Sequence, residues 1–243
     1  LIGVNIPVFV KNPIHPELGL WLGALERLFK AGITQLATIH RGFYLNEVSA
    51  FRNDPKWEMP IKLREALPHI PIICDPSHIA GDCEMIQNIS QTAMDLNMDG
   101  LMIETHQNPE KAWSDSKQQI NSEKLKQIMS NLVLRKPKTD DVFLNHQLRE
   151  FRDKINILDR KIVSILSDRK KIVEEIAHFK QQNKITIFQI ERWFEILRYR
   201  KNDANDFKMD EKIIADIFDL IHKYSILTQT QIMQDANGEK LEN

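Results

Sequence analysis

The sequence predicts an α/β fold joined to an all-α one, and three observations carry that prediction. Over the first 134 residues, short β-branched runs alternate four times with amphipathic stretches, at steps of about thirty residues, the length of one parallel βα unit. A polar stretch containing a proline, Arg135 to Asp141 (RKPKTDD), then interrupts the apolar pattern, as a linker does. Beyond it the period is helical only. The expected division is 1–134 for the α/β part, 135–145 for the linker and 146–243 for a domain of three helices.

The expected strands are Ile6–Lys11, Thr34–Ile39, Ile70–Cys74 and Gly100–Glu104, with helices at Leu18–Lys30, Ile61–Leu67, Cys83–Leu96 and Glu123–Leu134. An open doubly wound sheet fits this alternation, and so does the C-terminal half of a (β/α)8 TIM barrel. The polar residues favour the barrel. Lys11, Arg41, Asp75 with His78, and Glu104 with His106 fall at or just past the four strand ends, where a barrel gathers its active site. Four strands do not close a barrel, and a first strand at residue 6 leaves no room for four more, so the chain is expected to lack the front of this domain.

Lys and Arg number 33 against 34 Asp and Glu, a net charge of -1. No bulk basic excess argues for nucleic acid and no polybasic tract for an anionic membrane. Apolar runs such as Ile70–Cys74 fall far short of the ~20 residues that span a bilayer, and no signal-peptide layout opens the chain. A cytoplasmic protein is expected. The two cysteines, Cys74 and Cys83, exclude a disulfide scaffold, keep no ligand spacing with a histidine, and are expected to be small core residues.

Past the third strand, CDPSH places His78; past the fourth come Glu104 and Asp115. An imidazole and two carboxylates suit Mn, Fe, Co or Zn, although the same residues also suit a helix cap, an ion pair and a turn. Lys11 and Arg41 end strands of a parallel sheet, whose core does not bury unpaired cations; snorkelling to solvent is the other reading. Together VKNP (10–13), ATIHRG (37–42), CDPSH (74–78) and LMIETH (101–106) with Pro109 and Ser114-Asp115 resemble the last four strand ends of the type I-beta 3-deoxy-D-arabino-heptulosonate-7-phosphate (DAHP) synthases. The resemblance covers about residues 4–134. It implies condensation of phosphoenolpyruvate with erythrose 4-phosphate, with Lys11 and Arg41 holding phosphoenolpyruvate and His78, Glu104 and Asp115 binding a divalent metal. The family's first-strand cysteine ligand has no counterpart by position, so the chain as given is expected to be inactive in the condensation.

In the last hundred residues, apolar positions at three- and four-residue spacing from Leu148 to Gln182 predict one helix, about 50 Å long at 1.5 Å per residue. Ile187–Arg200 and Asp210–Met233 supply two more, separated by a break at Asn202–Asn205, and the tail from Asp235 is polar and expected to fray. So little chain makes a poor monomeric core, and a homodimer is expected. Arg169 and Lys180 lie eleven residues apart, so they share a face to within about 20°. Arg152 points about 100° away. Ser225 and Gln229, at i and i+4, share a face of the last helix, and Arg192 lies on the middle one near Gln189. Cations with a Ser and a Gln turned into a bundle describe a dianion pocket; the alternative is a solvated basic face.

Arg152-Asp153-Lys154-Ile155 with Asp159, Arg169, Lys180, Arg192 and Ser225-Ile226-Leu227-Thr228-Gln229 resemble the all-helical chorismate mutases over residues 148–233. The resemblance implies that Arg169 and Arg152 bind the two carboxylates of chorismate, Arg152 from the partner subunit, and that Lys180 and Gln229 donate to the ether oxygen, with no cofactor. The family often has carboxylates where this chain has Gln189 and Trp193. The expected protein is a bifunctional shikimate-pathway enzyme acting on small molecules, with neither nucleic acid nor membrane as partner. The rival readings are a chorismate mutase attached to an inert half barrel and a non-catalytic sensor of chorismate or prephenate.

Overall fold

The computed structural model describes residues 6–45 and 49–238, and the chain divides into two compact units, Leu1–Thr139 and Asp140–Asn243. In the first, β1 (Val8–Lys11), β2 (Leu36–His40), β3 (Ile72–Cys74) and β4 (Gly100–Leu101) form one sheet in chain order. All three pairings are parallel, with Val8 opposite Leu36, Thr38 opposite Ile72 and Ile73 opposite Gly100. A doubly wound sheet reverses its strand order at a switch point. The described strands do not reverse, so the arrangement is that of a partial barrel.

The strand ends are governed by side chains as well as by the ladder. β4 is shorter than the predicted Gly100–Glu104. The Met102 N–H still donates to the Cys74 carbonyl at 2.7 Å, but the Glu104 N–H donates instead to Ser77 Oγ at 3.0 Å. The chain thus leaves the sheet and swings Glu104 toward Ser77, in the segment that follows β3. An unpredicted short helix, α3 (Pro76–Ala80), follows β3 because Asp75 caps it, accepting from the His78 N–H at 3.1 Å, with Pro76 in the first turn.

Around the sheet, α1 (Leu18–Lys30) buries Trp21 and Leu25. Helix α2 (Glu58–Ala66) starts three residues before the predicted Ile61, since Pro60 is tolerated in a first turn. Helix α4 (Ile86–Asp95) is preceded by a 3₁₀ turn at Cys83–Met85. Helix α5 (Ser122–Asn131) stops short of Leu134 because the Gln91 amide takes both backbone groups of Val133. Cys74 lies in the core as expected; Cys83 is only half-buried, its thiol against Glu84.

The second unit has α6 (Val142–Gln182), α7 (Ile190–Asp206) and α8 (Glu211–Gly238), with α8 packed against both others. Helix α6 begins six residues before Leu148 because the Asp141 carboxylate accepts from the Phe143 and Leu144 N–H groups. The predicted break at Asn202–Asn205 is instead helix. Ala204 is buried under the last turn of α7, and the chain turns at Lys208, where φ is 54°. Ile187 to Gln189 are not helical, since the chain turns at Lys184 and Ile187 accepts from Lys180. From Asp235 the expected fraying meets helix as far as Gly238; residues 239–243 lie outside the described residues. Among the described residues, no helix is long and apolar enough to cross a membrane.

His40 ends β2 fully buried among Trp21, Phe43 and Trp57, with ring centroids 5.4 to 6.4 Å away. Burial pushes its pKa down to about 4 from the usual 6.5. The unfolded chain therefore binds a proton between pH 6.5 and 4 that the folded chain refuses. This contribution to stability is complete above pH 6.5 and is lost as pH falls toward 4, at up to about 1.4 kcal/mol per pH unit. Urea midpoints measured from pH 7.5 to 5 should fall more steeply for the parent chain than for His40→Leu; parallel slopes would remove His40 as the cause.

Candidate functional site

At the C-terminal end of the sheet, three residues predicted as metal ligands meet. His78, Glu104 and Asp115 each offer a ligand atom, all within 4.8 Å of one another. His78 Nε2 is 3.7 Å from Glu104 Oε1. Ligands on a ~2.1 Å coordination sphere sit about 3.4 Å apart in tetrahedral geometry, so modest side-chain movement closes the set on an ion. The donors, one imidazole and two carboxylates, fit a divalent transition metal.

Each donor is held from behind. The His78 ring places Nδ1 2.8 Å from Oδ2 of Asp75, a carboxylate 1% exposed, which leaves Nε2 toward the other ligands. A carboxylate behind a ligating histidine orients the ring and raises its basicity. Glu104 Oε2 accepts from Gln118 Nε2 at 2.7 Å, and Arg52 Nη1 donates to both Gln118 Oε1 at 2.6 Å and Asp115 Oδ1 at 2.8 Å. Oδ2 of Asp115 stays available. Arg52 reaches this position because Gly81, at φ 68°, has no Cβ: one there would meet the Arg52 Cβ at 2.6 Å. Sequence reasoning missed Arg52 and Gln118, whose partners lie 63 and 14 residues away. His106, expected beside Glu104, is instead tied into a turn with Asn108.

Lys11 ends β1, exposed, and Arg41 follows β2, half-buried. No described carboxylate pairs with either cation. Asn12 ties the two strand ends together, donating to the Gly42 carbonyl at 2.7 Å and accepting from the Arg41 N–H at 2.7 Å.

The helical unit holds a second polar cluster. Arg169 of α6, partly buried, donates to Ser225 Oγ of α8 at 2.6 Å, and Gln229, one turn on, is 8% exposed with its Oε1 unpartnered. Lys180 donates to the Ile187 carbonyl at 2.6 Å. Burial lowers the pKa of both Arg169 and Lys180, because desolvation penalises the charged form. Such cations gain most from an arriving anion. Beside Arg169 and Ser225 is a cavity of 220 Å³ lined also by Leu166, Val173, Ile221 and Thr228.

Two predicted residues stand apart. Arg152 lies on the exposed part of α6, seventeen residues and so about 26 Å along the axis from Arg169. Arg192 points to Glu195 of its own helix at 2.9 Å, largely exposed. Gln189 stands at the N-cap position of α7 with no capping bond from its side chain, and Trp193 stacks on His222 at 4.1 Å between ring centroids. His222 carried no sequence signal of its own.

Residues 2–137 match the DAHP synthetase I family and residues 151–230 match Chorismate mutase type II. A Phospho-2-dehydro-3-deoxyheptonate aldolase of Thermotoga maritima is 29% identical over 128 residues, 53% of this chain and 37% of the relative. A Bifunctional chorismate mutase/prephenate dehydratase of Buchnera aphidicola subsp. Acyrthosiphon pisum is 35% identical over 98 residues, 40% of this chain and 26% of the relative. A Chorismate mutase of Methanocaldococcus jannaschii is 26% identical over 93 residues, 38% of this chain and 94% of the relative. The chain thus spans about a third of the first relative's length and about a quarter of the second's. With more than half of its residues matched, the chain belongs to the DAHP synthetase I family and carries a chorismate mutase type II region after it.

Proposed function

We propose that this chain serves aromatic biosynthesis through the shikimate pathway with two chemistries. Its helical unit rearranges chorismate to prephenate. Its strand-end site belongs to the condensation of phosphoenolpyruvate with erythrose 4-phosphate. The observation that carries the first is a pair of partly desolvated cations, Arg169 and Lys180, with Arg169 held by Ser225 beside the buried, unpartnered Gln229 Oε1. The rearrangement needs no nucleophile and no cofactor. It needs a dicarboxylate held in a compact conformer and donors aimed at the oxygen where negative charge grows. Arg169 takes one carboxylate; Lys180 and Gln229 face the ether oxygen; Ser225 keeps the guanidinium in place.

The second carboxylate falls to Arg152 of a partner subunit. Helix α6 leaves Phe151, Ile155, Leu158, Ile162 and Ile165 more than half exposed. Burying such side chains contributes about 1.5–3 kcal/mol each, and a second copy of α6 covers them. Arg192, paired with Glu195 in the free chain, turns to substrate on binding.

At the strand ends, Lys11 and Arg41 bind the phosphate and carboxylate of phosphoenolpyruvate, their charges free of any described counter-ion. A divalent ion of the Mn, Fe, Co or Zn type, held by His78, Glu104 and Asp115, supplies the Lewis acidity that polarises the aldehyde. Asp75 fixes the His78 ring, and Gln118 and Arg52 aim Glu104 and Asp115. The substrates are small molecules handled in the cytoplasm, with neither nucleic acid nor membrane as partner.

Three outcomes test this. Lys180→Ala should lower kcat for chorismate by about 10²–10³ with little effect on ground-state dianion affinity, whereas Arg169→Ala should weaken both; Gln229→Ala should follow Lys180 more weakly. Turnover at the parent rate in Lys180→Ala would move the pocket elsewhere. Arg152→Ala and Lys180→Ala proteins, each inactive, should regain about a quarter of parent activity when mixed and allowed to exchange subunits, since half the dimers then carry one intact pocket; no recovery would count against the shared site. Asp75→Asn should weaken Mn²⁺ binding measured by calorimetry by about 10–100-fold, and unchanged affinity would separate Asp75 from the metal.

A further inference from the structure

His222 belongs to no role assigned above, yet it lies among the groups that are. On α8, His222, Ser225 and Gln229 are spaced i, i+3 and i+7, so they share one helix face. The His222 ring stacks on the Trp193 indole, with centroids 4.1 Å apart and planes 16° from parallel, and Phe188 packs at 6.0 Å. Its Nε2 is out of solvent and without a hydrogen-bond partner. The charged groups acting on the ring are Arg169 and Lys180 from α6 and Asp219 from its own helix; α7 presents the uncharged indole.

Resting on the mutase reading of this pocket, we propose that His222 is a further positioning residue for the substrate, a third cationic group that takes up a proton when a dicarboxylate enters. In the free protein, burial and the two neighbouring cations hold the imidazole neutral, its pKa below the ordinary value. A bound dicarboxylate brings two negative charges, which reverses the sign of the local field and favours imidazolium. The stacked indole supports that cation through its π face. By linkage, proton uptake on binding means that affinity rises as pH falls through the interval between the free and bound pKa values. The role is indirect: His222 acts through the field it adds beside Arg169 and Lys180.

The experiment is calorimetric titration of the full chain with prephenate, whose two carboxylates are ionised throughout, between pH 8 and pH 6 in two buffers of different ionisation enthalpy. The parent protein should bind with net proton uptake and a Kd that falls by roughly five- to tenfold toward pH 6. His222→Gln should bind without that uptake and with a flat Kd. Binding by the parent with no proton uptake overturns the proposal, as does uptake of the same size in His222→Gln. The parent measurement decides by itself if the variant fails to fold. Absence of binding at every pH would instead overturn the mutase reading and this proposal with it, a result distinct from binding without linkage.

Discussion

The helical unit is governed by an apolar stripe that one copy of the chain does not cover. Helix α6 runs 41 residues and buries only Val173 and Ala177. Its main packing partner is α8, toward its C-terminal part, where Arg169 meets Ser225. The arrangement separates two jobs along one rod. Its C-terminal third, packed and partly desolvated, holds cations at lowered pKa. Its N-terminal two thirds carries Arg152 and most of the exposed apolar residues, with none of its side chains buried. A helix is rigid over such a length, with 1.5 Å of rise per residue, so the distance between Arg152 and Arg169 is set by residue count. Side-chain rotation does not bring the two together, and for Arg152 to act on the same ligand it has to arrive from another chain.

The α/β unit solves its positioning problem in the opposite way, by local ties. Parallel strands deliver their last residues to one edge, but there the ladder stops and polar side chains take over. Ser77 pulls the Glu104 backbone out of β4, Asp75 both caps α3 and backs the His78 ring, and Asn12 fastens the ends of β1 and β2. Most of these groups are buried, so their hydrogen bonds exchange little with water, and losing one partner strands the other. Donor direction is fixed even though the turns around it are short. Gly81 and Gly42 permit this: each lies at positive φ, and a Cβ at either would collide with residue 52 or 53.

How much of this the sequence discloses depends on the range of the interaction. The βα alternation, the helical second unit and the placing of His78, Glu104 and Asp115 past strand ends follow from periodicity and from where polar residues fall, both local signals. The start of α6 lies six residues ahead of the one that apolar spacing predicts, because the Asp141 carboxylate caps the helix there. The break put at Asn202–Asn205 rested on helix propensity, which Ala204 overrides by burying itself. Arg52 and Gln118 left no local trace; what matters there is a tertiary coincidence with residues across the sheet edge. His222 was invisible for a related reason. One histidine on an amphipathic helix is unremarkable until Trp193, from a different helix, is found against its ring.

That last pair bears on how the pocket selects its ligand. Arg169 and Lys180 are desolvated without counter-ions, which costs free energy that a bound anion returns. A pocket with a carboxylate at position 193 would offset part of that cost before any ligand arrived. Here the position is an indole, so α7 adds no offset; burial, with Arg169 and Lys180 acting against Asp219, holds the His222 pKa below its ordinary value. Aromatic walls are apolar to a neutral ring and favourable to a cation, and this one thus tolerates both states of the imidazole. On the proposed role, such a pocket favours an anion more than a charge-balanced one does, and the charge of His222 follows the ligand.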